Sequence, residues 1–107
     1  MEELINDRKE EGVVHQVWWH GYDYFKTKTG KVYRKKVHRA YGKYPTTRQA
    51  YNSMFEWWNK NKYKPKYIRL VPEEDEKGKY IWIDYGLHTC FYHIRRVERG
   101  KSKSKTL

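Results

Sequence analysis

The sequence predicts an α+β fold, an antiparallel sheet of about five strands with one main helix packed across one face. Three observations carry that prediction. Runs rich in β-branched and aromatic residues recur between breaks that contain Gly or Pro. One segment alone has apolar residues at i, i+3, i+4 and i+7, the period of a helix with a single buried stripe. The connections between runs are short, which favours antiparallel neighbours. The order of elements is (α)ββαβββ.

Residues 1–12 have helix-forming composition, but Leu4 and Ile5 are their only large apolar side chains, so they read as an acidic arm or short helix. Val13 to Phe25 is β-branched and aromatic and forms the first strand, with Gly21 marking a bulge or bend. Lys26-Thr-Lys-Thr-Gly-Lys31 is a hairpin turn in which Gly30 is free to take a positive φ. A second strand runs from Lys31 to Tyr41 and is stopped by Gly42 and Pro45. Thr46 then caps the helix, with Gln49 three residues on as a capping box requires. Tyr51, Met54, Phe55 and Trp58 make its apolar stripe, widened by Ala50 and Trp57, and Phe55, Trp57 and Trp58 are assigned to the core. Asn59 to Lys62 and then Pro65 close it. Lys66 to Pro72 is the next strand, and the acidic stretch Glu73 to Lys79, with Gly78, is a turn. Tyr80 to Tyr85 is a strand with Ile81, Ile83 and Tyr85 on one face, and Thr89 to Val97 is the last. Residues 13–97 are thus one domain, and 98–107 a low-complexity basic tail expected to be disordered.

The apolar fraction is 37% and the aromatic fraction 18%, with five Trp and eleven Tyr, so the core has to be built from rings more than from Leu and Val. Twenty-four Lys and Arg stand against 13 Asp and Glu, a net charge of +11. The excess is localised. Residues 24–72 hold fourteen basic groups and one acid, Glu56, whereas residues 1–23 hold two basic groups and six acids. Such asymmetry points to a directed face for a polyanion, nucleic acid before an acidic membrane. No apolar run approaches the ~18 residues of a membrane span, and no basic amphipathic helix stands out, so no membrane partner is expected. Cys90 is alone, with no CxxC and no Cys/His cluster, so neither a disulfide nor a metal or other cofactor is expected. The acidic start, Met1 to Asp7, has no signal-peptide apolar region, and the expected location is the cytoplasm.

The candidate site is the first hairpin. Lys26, Lys28, Lys31, Arg34, Lys35, Lys36 and Arg39 lie within it, and Lys43 follows. Alternation along a strand puts Arg34, Lys36 and His38 on one face and Lys35, Val37, Arg39 and Tyr41 on the other. Cations on both faces describe a strand at the sheet edge. A two-stranded ribbon of this kind can enter a major groove or lie along a phosphate backbone. Charge that protects an edge from aggregation accounts for some of these lysines. It does not account for the absence of any acid between Tyr24 and Phe55. Tyr22, Tyr24, Tyr33, Tyr41 and Tyr44 interleave with the cations, and rings beside cations can stack on unpaired bases. Tyr33 and Tyr41 are the leading stacking candidates. Arg95 and Arg96 begin an auxiliary basic arm that runs on to Lys105. His15, His20, His38, His88 and His93 show no metal-ligand spacing. His38 near Lys36, or His93 near Asp84, is what a nuclease would need for proton transfer, but nothing in the sequence demands it, and no catalytic residue is assigned. Asp84 is expected to pair with Arg95 or Arg96, and Cys90 to be a small buried hydrophobe.

The segment Gly42-Lys-Tyr-Pro-Thr-Thr-Arg-Gln-Ala-Tyr51 resembles the strand-to-helix junction of AP2-type and integrase arm-type DNA-binding modules. In those families a basic antiparallel sheet, which reads the DNA, precedes a Thr-capped helix with Ala on its packing face. The resemblance spans about residues 17–61 and implies Arg34, Lys36 and Arg39 as sheet contacts. Those modules have three strands before the helix and no further three after it, whereas this chain has two before. In composition the chain also resembles small reading frames of phages and mobile elements. The resulting expectation is a small basic nucleic-acid-binding protein, for DNA or RNA. From a different class, the alternative is a phage-encoded, anti-CRISPR-like inhibitor that docks on a host nucleic-acid enzyme or defence complex. A small ribonuclease toxin is the third reading.

Overall fold

The computed structural model describes residues 4–99. Its elements are β1 (Val13–Lys26), β2 (Val32–Tyr44), α1 (Thr47–Lys60), β3 (Arg69–Asp75), β4 (Gly78–Asp84) and β5 (Phe91–Glu98). The five strands form one antiparallel sheet in the order β2-β1-β5-β4-β3. β2 and β3 are therefore its edges, and β1 with β5 is the non-local join. Helix α1 lies across one face, which gives the expected α+β class.

Residues 4–12 of the leading segment form no helix. With only two apolar side chains it has no stripe to bury, and it runs as irregular chain docked on α1 instead. Ile5 is only 3% exposed and enters the core. The Asn6 N–H donates to Thr47 Oγ1 at 2.9 Å, and the Arg48 N–H donates to the Asn6 carbonyl at 3.0 Å. The second bond satisfies one of the donors that a helix leaves open in its first turn.

Two glycines behave differently from the sequence expectation. β1 passes through Gly21 in register opposite Val37, without a bulge. Glycine is needed there for space, since a Cβ would lie 2.3 Å from the Trp19 ring. The irregularity falls between Val17 and Trp18, which pair with Gly42 and Ala40 and leave Tyr41 as the extra residue on β2. That bulge carries β2 through Gly42 to Tyr44, where the sequence had suggested a stop.

The acidic stretch after Pro72 is also mostly strand. Glu73, Glu74 and Asp75 pair with Tyr80, Lys79 and Gly78, leaving Glu76 and Lys77 as a two-residue turn. Pairing overrides the turn-like composition because the acids stand on an exposed edge strand, where β3 has solvent to face.

Thr46 caps α1 as expected, its Oγ1 accepting from the Gln49 N–H at 3.0 Å. Ala50, Met54 and Trp58 form the buried line of the helix, at 0%, 2% and 2% exposure. Trp57 does not belong to it. It falls on the flank of that line, one heptad after Ala50, where its large ring projects past the sheet, and it is 45% exposed. The core joins this line to Val17, Ile81, Ile83, Tyr85, Tyr92 and Ile94. Trp19 Nε1 donates to the Tyr85 hydroxyl at 2.9 Å, and burial raises the pKa of that hydroxyl. Contrary to the expectation of a core built from rings, Trp58, Tyr85 and Tyr92 are the buried aromatics and Ile, Val, Met and Ala supply the rest, with the rings of Trp58 and Tyr85 at 5.6 Å and those of Tyr85 and Tyr92 at 5.1 Å.

Candidate nucleic-acid interface

Beyond His20, β1 leaves β5. Residues 21–26 of β1 and 32–37 of β2 pair only with one another and form a two-stranded arm. Its tip is closed by Thr27, whose carbonyl accepts from the Gly30 N–H at 2.9 Å and whose Oγ1 accepts from the Lys31 N–H at 3.0 Å. Gly30 takes φ 88, as the turn requires.

Asp23 is the single acid between Gly12 and Phe55. It is taken by Arg39, whose guanidinium also lies over the Trp19 ring at 5.6 Å, and this bond raises the Arg39 pKa. Among the described residues Lys26, Lys28, Lys31, Lys35, Lys36 and Lys43 are exposed and make no ion pair. Arg34 rests over the Tyr22 ring at 4.4 Å, which leaves its charge uncompensated.

The alternation expected from sequence places Arg34, Lys36 and His38 on the sheet face away from α1, opposite Tyr24, Tyr22 and His20. Tyr33, Lys35 and Arg39 fall on the other side, where Tyr33 stacks on Phe25 at 5.3 Å. Tyr41 joins that side through the bulge and lines a groove with Met54 and Trp57. Tyr33 and Tyr41 are 52% and 48% exposed, but they and the Arg34–Lys36 pair face in opposite directions.

Arg95 and Arg96 are part of β5 rather than of a free arm. Arg95 bonds Asp75 through two nitrogens at 3.0 and 2.7 Å and covers the Tyr80 ring at 4.3 Å, and the hydrogen bond lowers the Asp75 pKa. Arg96 is held by Glu98 at 2.8 Å and by Glu10 at 2.5 Å. The rest of the basic tail, residues 100–107, lies outside the described residues. Asp84 pairs with neither of these arginines. It accepts from Arg69 and from Tyr67, both at 3.3 Å, because Arg69 is its register partner on β3. Cys90 precedes β5 and is half-buried against the core.

The face away from α1 holds what sequence parity did not reveal. A one-sided sheet normally turns polar side chains to water. Here β1 presents Trp18, His20 and Tyr22, β5 presents Phe91 and His93, and β4 presents Tyr80 and Trp82. His20 stands between two other imidazoles. Its Nδ1 meets Nδ1 of His38, and its Nε2 is 3.1 Å from Nδ1 of His93. Its ring also stacks on Phe91 at 4.8 Å. Burial, reinforced by neighbouring positive groups, lowers the pKa of His20 and of His93 to about 4. Both are neutral at pH 7. Among the described residues no group of three or more His, Cys, Asp or Glu side chains is arranged to hold a metal ion. The histidines line a shallow depression of about 430 Å³ together with Trp18 and Arg95, and Asp75, Glu76 and Lys77 of the β3–β4 turn form its far rim.

No family model, curated protein or solved structure matches this chain. No described helix is long and apolar enough to cross a membrane.

Proposed function

We propose that this protein binds nucleic acid, holding phosphates with the β1–β2 arm. The observation that carries the reading is the set of exposed lysines without ion pairs on a ribbon whose one acid is already taken by Arg39. A two-stranded ribbon is narrow enough for a major groove about 12 Å wide, and cations on both of its faces reach phosphates on either wall. Lysines held apart from carboxylates keep their full charge for a polyanion, and each phosphate neutralised releases counterions.

Fluorescence anisotropy with labelled duplex DNA and RNA tests this. Wild-type protein is expected to bind at micromolar concentration or below at low salt, on the order of non-specific affinities generally. The triple variant Lys28→Glu, Lys31→Glu, Lys36→Glu removes charges that support no internal contact, so it should fold normally and lose binding. Undiminished affinity in that variant would sink the assignment of the arm. Capture of a single protein partner from nuclease-treated lysate, with no affinity for free strands, would favour the inhibitor reading in its place.

A further inference from the structure

We propose that the sheet face opposite α1 is a platform for single-stranded nucleic acid, on which unpaired bases stack while the β2 edge holds their phosphates. The inference rests on the nucleic-acid reading and names the form of nucleic acid that this second surface takes.

Ring chemistry and charge together select the occupant. Trp18, Tyr22, Phe91, Tyr80 and Trp82 are only half-buried with no strand or helix over them, and the guanidinium groups of Arg34, Arg95 and Arg69 lie over the rings of Tyr22, Tyr80 and Trp82. A duplex offers such rings little to stack on, because its base faces are stacked inside and only base edges and the sugar-phosphate backbone can be reached. An unpaired base presents a π-face to every ring it meets. The cations are laid out to match. Lys43, Lys36 and Arg34 line the same face along β2, at one edge of the sheet, while the rings occupy β1, β5 and β4 beside them. A strand can therefore run with its backbone on β2 and its bases turned inward. From Trp18 to Lys26 this track is about 25 Å long, at ~3.3 Å per residue, and it ends in the lysines of the arm.

The opposite rim fixes the direction. Asp75, Glu76 and Lys77 border the depression on the β3 side. Arg95 neutralises Asp75, Lys77 stands next to Glu76, and Glu73 lies on the same face of β3. That rim offers phosphates no net positive charge, in contrast to β2, so the polyanion follows the β2 edge and the arm. Neutral His20 and His93 leave the floor of the depression uncharged, as a site for a base rather than for a phosphate requires.

The test compares a labelled oligothymidine, the same length of duplex and the double variant Trp18→Leu, Trp82→Leu. Leucine keeps apolar bulk and removes the π-face. Wild-type protein should bind the single strand more tightly than the duplex, with quenching of tryptophan fluorescence. The variant should lose about tenfold or more for the single strand, as loss of base stacking does, and keep its duplex affinity. Equal single-strand affinity in variant and wild type, or no preference and no quenching in the wild type, overturns the platform and leaves the arm standing. Absence of binding to either form overturns both. Should the double variant fail to melt cooperatively, Tyr22→Ser on the exposed arm gives the same comparison, with a severalfold loss for the single strand expected and unchanged affinity overturning the platform.

Discussion

Lys62 is the only non-glycine residue with positive φ among the described residues, at 55°. It holds that conformation because α1 ends in a Schellman turn. The Tyr63 N–H reaches back to the Trp58 carbonyl at 2.8 Å and the Lys62 N–H to the Asn59 carbonyl at 3.2 Å. The Tyr63 ring then rests against Trp58, 6.4 Å between centroids, which fastens the turn to the core. A side chain in the left-handed region costs about 1–2 kcal/mol, so Lys62→Gly should stabilise the fold by up to ~1 kcal/mol once the entropy of glycine is set against it, measurable by urea denaturation. The histidines act in the other direction. His20 titrates near 4 in the fold and near 6.5 when unfolded, and His93 does the same. Below pH 6.5 the unfolded chain therefore binds more protons, and stability falls as pH drops from about 6.5 toward 4. The groups that face His20 are His38 and Lys36 on β2 and His93 and Arg95 on β5, and Asp75, which faces His93, opposes the lowering without overcoming it. Melting temperature is expected to fall between pH 7 and pH 5, and the fall should shrink in the double variant His20→Gln, His93→Gln. A pH-independent melting temperature in wild type would contradict the depressed titration.

At the scale of elements, β1 depends on an exchange of space between neighbours on one face. Trp19 folds over Gly21 to reach Tyr85. Gly21→Ala gains strand propensity but drives a methyl into the indole. The clash should dominate and destabilise by about 1–3 kcal/mol, with the Trp19–Tyr85 hydrogen bond lost; a variant as stable as wild type would refute the packing. The leading segment is held by Ile5 in the core together with the bonds of Asn6 to Thr47 and Arg48. Ile5→Ala should cost about 2–4 kcal/mol by opening a cavity, although the segment has no secondary structure of its own. Local pattern made some of this legible and left the rest hidden. The helix was readable because Thr46, Gln49 and the Tyr51–Met54–Phe55–Trp58 stripe state the same boundaries independently, although the buried line runs through Ala50, with Tyr51 and Phe55 only half-buried. Faces of the arm followed from alternation. The acids of β3 misled because pairing on an edge strand outweighs turn composition, and Trp57 misled because a wide aromatic stripe does not reveal its own centre. His20 and His38 were within reach, since they stand equally far from the paired ends Lys26 and Val32 of the hairpin. His93 was not, because only the β1–β5 join brings it near, and no local pattern encodes a contact 73 residues apart.

On the scale of the whole molecule, the arm gives an elongated body of 55 × 36 × 25 Å. If the arm lysines neutralise phosphates, the logarithm of affinity should fall linearly with the logarithm of salt concentration, and each lysine removed should reduce the slope by about one. Anisotropy titrations of Lys28→Ala and Lys31→Ala across a salt series check this, and a slope that does not change would show that neither residue meets a phosphate. The two hairpins have a joint consequence for how a partner arrives. The β3–β4 turn lies level with the start of β1, beside Arg95 and Gln16, while the arm tip lies at least ten residues of strand away in the other direction. At one end of the body the carboxylates are matched by Arg95, Arg96 and Lys77 and at the other the ammonium groups of the arm are unmatched, so the protein has a permanent electrical polarity along its longest dimension. In the field of a polyanion it experiences a torque before it touches anything, and it turns the arm forward. Productive collisions are selected during diffusion, and dilute salt speeds the encounter itself rather than only prolonging the complex.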